Sequence, residues 1–169
     1  MQLKTLVQAL EKVSEWSGRV SIWLIVPLTI LVVYEVFSRR ILNAPHIWAT
    51  EVTDYIYGPH FMLVAAYTLL YQAHVSIEVI YEHFSPKVKA FFDCFTHLVF
   101  FFPFILIVIY QGIIFAHTSW AIGETSESAA LHIVPLVKTA IPVAFILVFL
   151  QGLANFIRSV HHLVKGKEI

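Results

Sequence analysis

Few residues in this chain could do chemistry, and most of them lie inside or beside apolar runs. In "WATEVTDYIYGPHF", residues 48–61, the carboxylates Glu51 and Asp54 stand at the head of such a run. An acid at membrane depth serves an ion path, a counter-charge or a protein contact. Glu35 precedes Arg39 by one helical turn, which predicts a local ion pair in place of a proton path. His60 and His74 are 14 residues apart, about 21 Å along a helix, the separation that stacks two haems in a membrane cytochrome. A matching ladder of second axial ligands is missing, because His97 and His117 are 20 apart. A single haem between His74 and His97 is the redox alternative, a haem-b-bearing membrane anchor of a respiratory enzyme. Glycine-rich phosphate loops, metal-binding pairs at i and i+4, and a serine nucleophile motif are absent. No catalytic residue, metal site or bound cofactor is therefore expected.

The elements that must position these residues follow from composition. The chain has 169 residues, of which 59% are hydrophobic and 13% charged, and its mean hydropathy of +0.77 marks an integral membrane protein. Its net charge of zero gives no basis for a nucleic-acid partner. Cys94 is the only cysteine, which excludes an internal disulfide and a thiolate zinc site. Uncharged stretches of 15, 23, 30 and 19 residues follow Arg19, Asp54, Asp93 and Lys138. A bilayer core needs about 20 helical residues, so the expected fold is all-α, one membrane domain with four transmembrane helices near 20–38, 50–75, 90–122 and 134–158.

Amphipathic interfacial helices are expected at 2–17 and 77–85. The first carries Leu3, Leu6, Val7, Leu10 and Val13 at helical spacing, and in the second Ile77, Ile80, Tyr81 and Phe84 share a side. Ser85 and Pro86 read as the N-cap and first residue of the next helix, and Asn43 and Pro45 as start signals for the second span. Pro103 and Pro142 are expected to bend the third and fourth spans.

Charge orients the bundle. Lys4, Lys12, Arg19, Lys87, Lys89, Arg158, Lys165 and Lys167 fall on one side, and Arg39, Arg40 and Lys138 on the other, as lipid-headgroup or interface anchors. The bias predicts cytoplasmic N- and C-termini. Steps of seven from Glu51 reach Gly58, Ala65 and Gln72, a small and polar stripe that should face protein, either inside this bundle or on another subunit.

The order of these features resembles the small membrane subunit, the DctQ-type component, of tripartite ATP-independent periplasmic (TRAP) transporters. "YEVFSRRILNAPHIWATEVTDY" is similar to the family's exit from helix one and Trp-x-x-Glu entry to helix two. "AHVSIEVIYEHFSP" is similar to its histidine, alternating segment and Ser-Pro start, and "GETSESAALHIVPLVKTAIPVAFILVFLQ" to its acidic loop and Pro, Lys, Ile-Pro and Gln pattern. The chain departs from the pattern at Val75 and Ser76, where a basic residue is common, and near Val137, where tryptophan is.

The resemblance implies a scaffold in the bacterial cytoplasmic (inner) membrane that braces a large DctM-type subunit. That subunit would move organic anions, delivered by a soluble periplasmic binding protein, on a sodium gradient used by the complex and not bound by this chain. It further implies that Trp48, Glu51, Asp54, Gly58, Ala65, Gln72 and His74 meet the large subunit, and that Gly123, Glu124, Ser126 and Glu127 form a loop facing the binding protein. Four spans without an inverted repeat or central polar cluster lack a transport site of their own.

Overall fold

The computed structural model describes residues 2–71, 84–128 and 131–166, and among them every regular element is helical. In chain order these are α1 (Gln2–Ile22), α2 (Ile25–Ile41), α3 (Ile47–Leu70), α4 (Pro86–Thr96), a five-residue π-helical turn (His97–Phe101), α5 (Phe102–Ile122) and α6 (Val134–Lys165). Three stretches are long and apolar enough to cross a membrane: Leu3–Ile41, Pro86–Ile122 and Val134–Lys165. α3 has 24 residues, about 36 Å of rise, but Glu51, Asp54, Pro59 and His60 dilute its apolar character below that of the other three. The expected helix at 77–85 falls almost wholly outside the described residues.

The first helix differs from expectation in two ways. It runs unbroken to Ile22, past the expected interfacial end at residue 17, and the chain breaks at Trp23–Leu24. Pro27 is the cause: its ring would collide with the carbonyl four residues back, that of Trp23, and it brings no N–H to pair with it. Tighter bonds fill the gap, with Trp23 N donating to Val20 O, Leu24 N to Ser21 O and Val26 N to Trp23 O. The helix also packs into the bundle. Val7 of the expected apolar stripe is buried with Ser14, Gly18 and Ser21, while Leu3, Leu6 and Val13 of that stripe lie on the surface. In hydrocarbon a leucine gains little by turning inward, and a serine or glycine lets backbones approach.

Small-in, bulky-out packing recurs through the bundle. α3 packs on α1, α2 and α6, and α6 packs on α1, α3, α4 and α5. The buried residues of these helices include Ala49, Ala66, Ala90, Ala116, Ala144 and Ala154, while most of the large aliphatic and aromatic side chains face outward. On α5 the buried positions Ile105, Gly112, Ala116 and Ser119 form a heptad-like seam, and a Cβ at Gly112 would sit 3.3 Å from Ile141 and 3.4 Å from Pro142 of α6. Pro142 is thus a packed residue of the α5–α6 seam.

Ser85 and Pro86 begin α4 as expected, Ser85 extended at ψ 153° and Pro86 at the first helical position. Asn43 and Pro45 serve differently. Asn43 adopts φ 51° and closes the C-terminus of α2, where Leu42 N and Ala44 N both donate to Ser38 O. Asparagine tolerates this left-handed geometry better than most residues, so it ends one helix instead of starting the next, and α3 begins at Ile47 behind His46. Pro103 sits just after the π-helical turn. The wider turn lets the chain pass a proline that cannot donate to Val99 O, with Phe102 N donating to His97 O.

Glycines mark the closest approaches. A Cβ on Gly18 would fall 2.3 Å from Tyr67 Cβ, and one on Gly152 would fall 2.1 Å from the Phe101 ring, while at Gly58 the nearest atom is Met62 Cε at 4.0 Å. Gly18→Ala is therefore expected to force α1 and α3 apart and to destabilise by about 1–3 kcal/mol, the usual range for overpacking. Gly58→Ala is expected to leave the unfolding temperature unchanged or slightly raised. Thermal unfolding of the detergent-purified chain compares the two.

Candidate functional site

Buried and paired carboxylates gather where the end of α2, the start of α3 and the α5–α6 loop meet. Three carboxylates organise this end of the bundle, each holding a different length of chain.

Glu35, buried on the last turns of α2, accepts through Oε1 from Arg39 Nη2 at 3.1 Å and from His46 N at 3.2 Å. Its Oε2 lies 3.5 Å from His46 Nδ1. The expected local pair with Arg39 is present, and the same carboxylate also takes an N–H at the entry of α3, one of the donors that a helix start leaves without an intrahelical partner. Ser38 Oγ donates to Ala44 O at 2.8 Å and lies 3.3 Å from His46 Nδ1. Tyr34 and Trp48 flank the His46 ring at centroid distances of 5.6 and 5.9 Å.

Glu51, also buried, reaches across 77 residues of sequence: Oε1 accepts from Ser128 N and Oε2 from Ser128 Oγ, both at 2.7 Å. Both oxygens of the carboxylate are thus used on one residue of the α5–α6 loop. Ser126, itself buried, closes that loop by donating its N–H to Leu131 O at 2.8 Å and accepting from Leu131 N at 3.2 Å.

Glu124 turns back onto its own helices. Its Oε2 accepts from Ser119 Oγ at 2.6 Å and from Lys138 Nζ at 2.5 Å, and Lys138 Nζ stands 4.0 Å above the Phe115 ring. The hydrogen bond from Lys138, and next that from Ser119, hold the Glu124 carboxyl below its ordinary value of 4.5. Gly123, at φ 59°, supplies the left-handed step that ends α5 and turns Glu124 inward. Trp120 Nε1 donates to Thr139 Oγ1 at 2.9 Å, a further tie between α5 and α6.

Each of these carboxylates accepts hydrogen bonds from fixed groups of this chain through at least one oxygen, and Glu35 Oε2 is left without a hydrogen-bond partner. Asp54 and Glu127 are exposed, on the rim of a cleft of about 520 Å³ that His46, Thr50, Tyr55 and Ser128 also line. Trp48 is exposed, Gly58 and Ala65 are half-buried on the open flank of α3, and Gln72 and His74 lie outside the described residues. Arg39 and Arg40 are exposed at the end of α2, whereas Lys138 is committed to Glu124. Of the loop residues expected to face a binding protein, Gly123 and Glu127 are exposed and Glu124 and Ser126 are turned inward.

Sequence reasoning missed Ser128, Ser38 and Ser119, and nothing marks a serine as a distant carboxylate's donor. Gln151, the glutamine that ends the Pro, Lys, Ile-Pro and Gln pattern, is fully buried on α6 with Nε2 donating to Asn155 Oδ1 at 3.1 Å. His60 Nδ1 donates to Ser21 O at 2.8 Å on α1, a helix with no histidine, and His97 Nδ1 donates to Asp93 O and stacks against Phe101, Phe102 and Phe156. Among the described residues no three His, Cys, Asp or Glu side chains are grouped closely enough to hold a metal ion.

Releasing the Glu51 clasp is expected to loosen the α5–α6 loop specifically. Glu51→Gln and Ser128→Ala should each speed amide hydrogen exchange at Ser126 and Ser128, and the double variant should add little to either single one. Additive effects in that cycle would mean that the two side chains act independently.

A model of the family described as "Tripartite ATP-independent periplasmic transporters, DctQ component" matches residues 28–162. No curated protein and no solved structure matches. The matched range runs from the first turn of α2 nearly to the end of α6 and takes in all three carboxylate clasps. By that match over most of its length, the chain belongs to the DctQ-component family of the tripartite ATP-independent periplasmic transporters.

Proposed function

We propose that this chain is the scaffold subunit of a sodium-coupled transporter in the bacterial inner membrane. A soluble periplasmic binding protein delivers organic anions, a large DctM-type subunit carries them, and the present chain holds the large subunit in place. The family match over residues 28–162 carries this reading. The site geometry agrees with it: Glu35, Glu51 and Glu124 are spent on Arg39 and His46, on Ser128, and on Ser119 and Lys138. A transport site needs ligating groups that release their cargo, and these acids already have fixed partners within the chain.

In this reading α3 is the fourth membrane crossing. Its polar first turns lie at headgroup depth, and its length of about 36 Å suffices to cross the hydrocarbon core. The eight-to-three distribution of Lys and Arg puts both termini in the cytoplasm and the clasped end outside. The first turns of α1 lie along the inner interface. Gly58 and Ala65, with Asp54 and Trp48, form the flank that meets the large subunit. Gly58 suits that role because a Cβ placed there would have no side chain among the described residues nearer than Met62 Cε at 4.0 Å. The haem-anchor alternative is not carried forward: His97 bonds to Asp93 O within its own helix and lies among Phe101, Phe102 and Phe156, His74 lies outside the described residues, and the family match gives a haem no support.

Two outcomes are expected. Proteoliposomes holding this chain alone should show no sodium-driven uptake, and adding the large subunit and the binding protein should establish it; uptake by the chain alone would overturn the scaffold reading. Gly58→Leu should reduce co-purification of the large subunit while the isolated variant unfolds at the wild-type temperature. Full recovery of the complex would place the interface on another face.

A further inference from the structure

Arg39 and Arg40 stand at the end of α2, and only one of them is used inside the chain. Arg39 pairs with Glu35, while Arg40 has no hydrogen-bond or ion-pair partner among the described residues. With Glu35, whose charge Arg39 offsets, both arginines line a cleft of about 280 Å³ between α2 and α3, whose deeper wall is Val32 and Val36 and whose far side is Thr50 and Thr53. Val32, Val36, Arg39 and Arg40 recur at i, i+4, i+7 and i+8, one face of α2. Thr53 Oγ1 donates back to Ala49 O, and the exposed Thr50 hydroxyl has no partner among the described residues.

We infer that this cleft binds one anionic phospholipid, its phosphodiester on Arg40 and Thr50 and an acyl chain along Val36 and Val32. Charge supports an anionic headgroup: Glu35, Arg39 and Arg40 sum to one net positive charge, which a single phosphodiester neutralises. Arginine's planar fork matches a phosphate's paired oxygens. The vertical order supports a lipid over a protein side chain. The cations lie at the C-terminal end of α2, on the same end of the bundle as Trp48 in the first turn of α3, a residue type that settles at headgroup depth. The valine wall extends about 12 Å deeper, from residue 40 back to residue 32. Polar head above and apolar groove below is the order of a phospholipid's own parts. Val32 and Val36 are 40% and 56% exposed, so the groove is open to the side from which a lipid arrives. The inference uses the membrane location of the chain and not its role in transport.

The test uses the complex of this chain with its large subunit, delipidated in detergent and titrated with phosphatidylglycerol, phosphatidylethanolamine or inorganic phosphate. Native mass spectrometry counts the lipid retained. Wild type is expected to retain one phosphatidylglycerol in preference to phosphatidylethanolamine. Arg40→Gln should weaken retention by about tenfold or more, the usual effect of losing a charge-assisted hydrogen bond. Val36→Trp, which fills the groove and leaves both arginines, should also lose the lipid, whereas Lys87→Gln on α4 should retain it. Undiminished retention by Arg40→Gln or by Val36→Trp would overturn the site. Displacement of the lipid by millimolar inorganic phosphate would reduce it to a simple anion site and overturn the lipid assignment. Loss of the large subunit from Arg40→Gln with lipid retention intact would assign Arg40 to a protein contact instead.

Discussion

In hydrocarbon, turning a leucine from lipid toward another helix gains almost nothing, so helices that must stay together need contacts that lipid cannot supply. This constraint accounts for the bundle. Backbones approach where Gly18 meets Tyr67, where Gly112 meets Pro142 and where Gly152 meets Phe101, and most of the buried residues are alanine, serine or glycine. The outward face keeps its large apolar residues because lipid is as good a neighbour as protein.

At one end of the bundle a different rule applies, because loops expose backbone groups that need partners. Glu35 and Glu51, each on a helix, meet that need at His46 N and Ser128 N, and Glu124, in the α5–α6 loop, fixes the loop through the side chains of Ser119 and Lys138. Glu35 ties α2 to the entry of α3, Glu51 ties α3 to the α5–α6 loop, and Glu124 ties that loop to α5 and α6. The acids at the head of α3 therefore divide their work: Glu51 is internal, while Asp54 remains exposed. A family whose members work beside a larger membrane protein benefits from such an end, since a partner can dock only on loops that keep their shape.

Short-range features were legible in the sequence. The Glu35–Arg39 pair, the Ser85–Pro86 helix start and the long apolar helices all depend on residues within a few turns of one another. Features that depend on distant partners were not. Glu51 gave no hint of Ser128, because the loop that brings them together is set by the packing of α3, α5 and α6. The face of α1 that packs on other helices, Val7, Ser14, Gly18 and Ser21, was not legible, because hydrophobicity marks an apolar side and not the small residues at which helices approach. Asn43 was ambiguous locally, since the same residue type caps helix starts and accepts the left-handed turn at helix ends. The break before Pro27 and the wide turn before Pro103 follow from the missing N–H and the proline ring, but which distortion each would produce was not set by local sequence.

The π-helical turn has a mechanical consequence. Phe101 occupies the space where Gly152 lacks a side chain, and the ring of Phe102 touches both Phe149 and Phe156, one turn to either side of that gap, at centroid distances of 5.5 Å. This is a peg in a socket with a stop above and below. Sliding α5 along α6 by one turn, about 5.4 Å, would drive the Phe101 ring into an occupied position, so the pair is stiff to axial shear. A force applied along either helix would therefore be carried by both, as by one post.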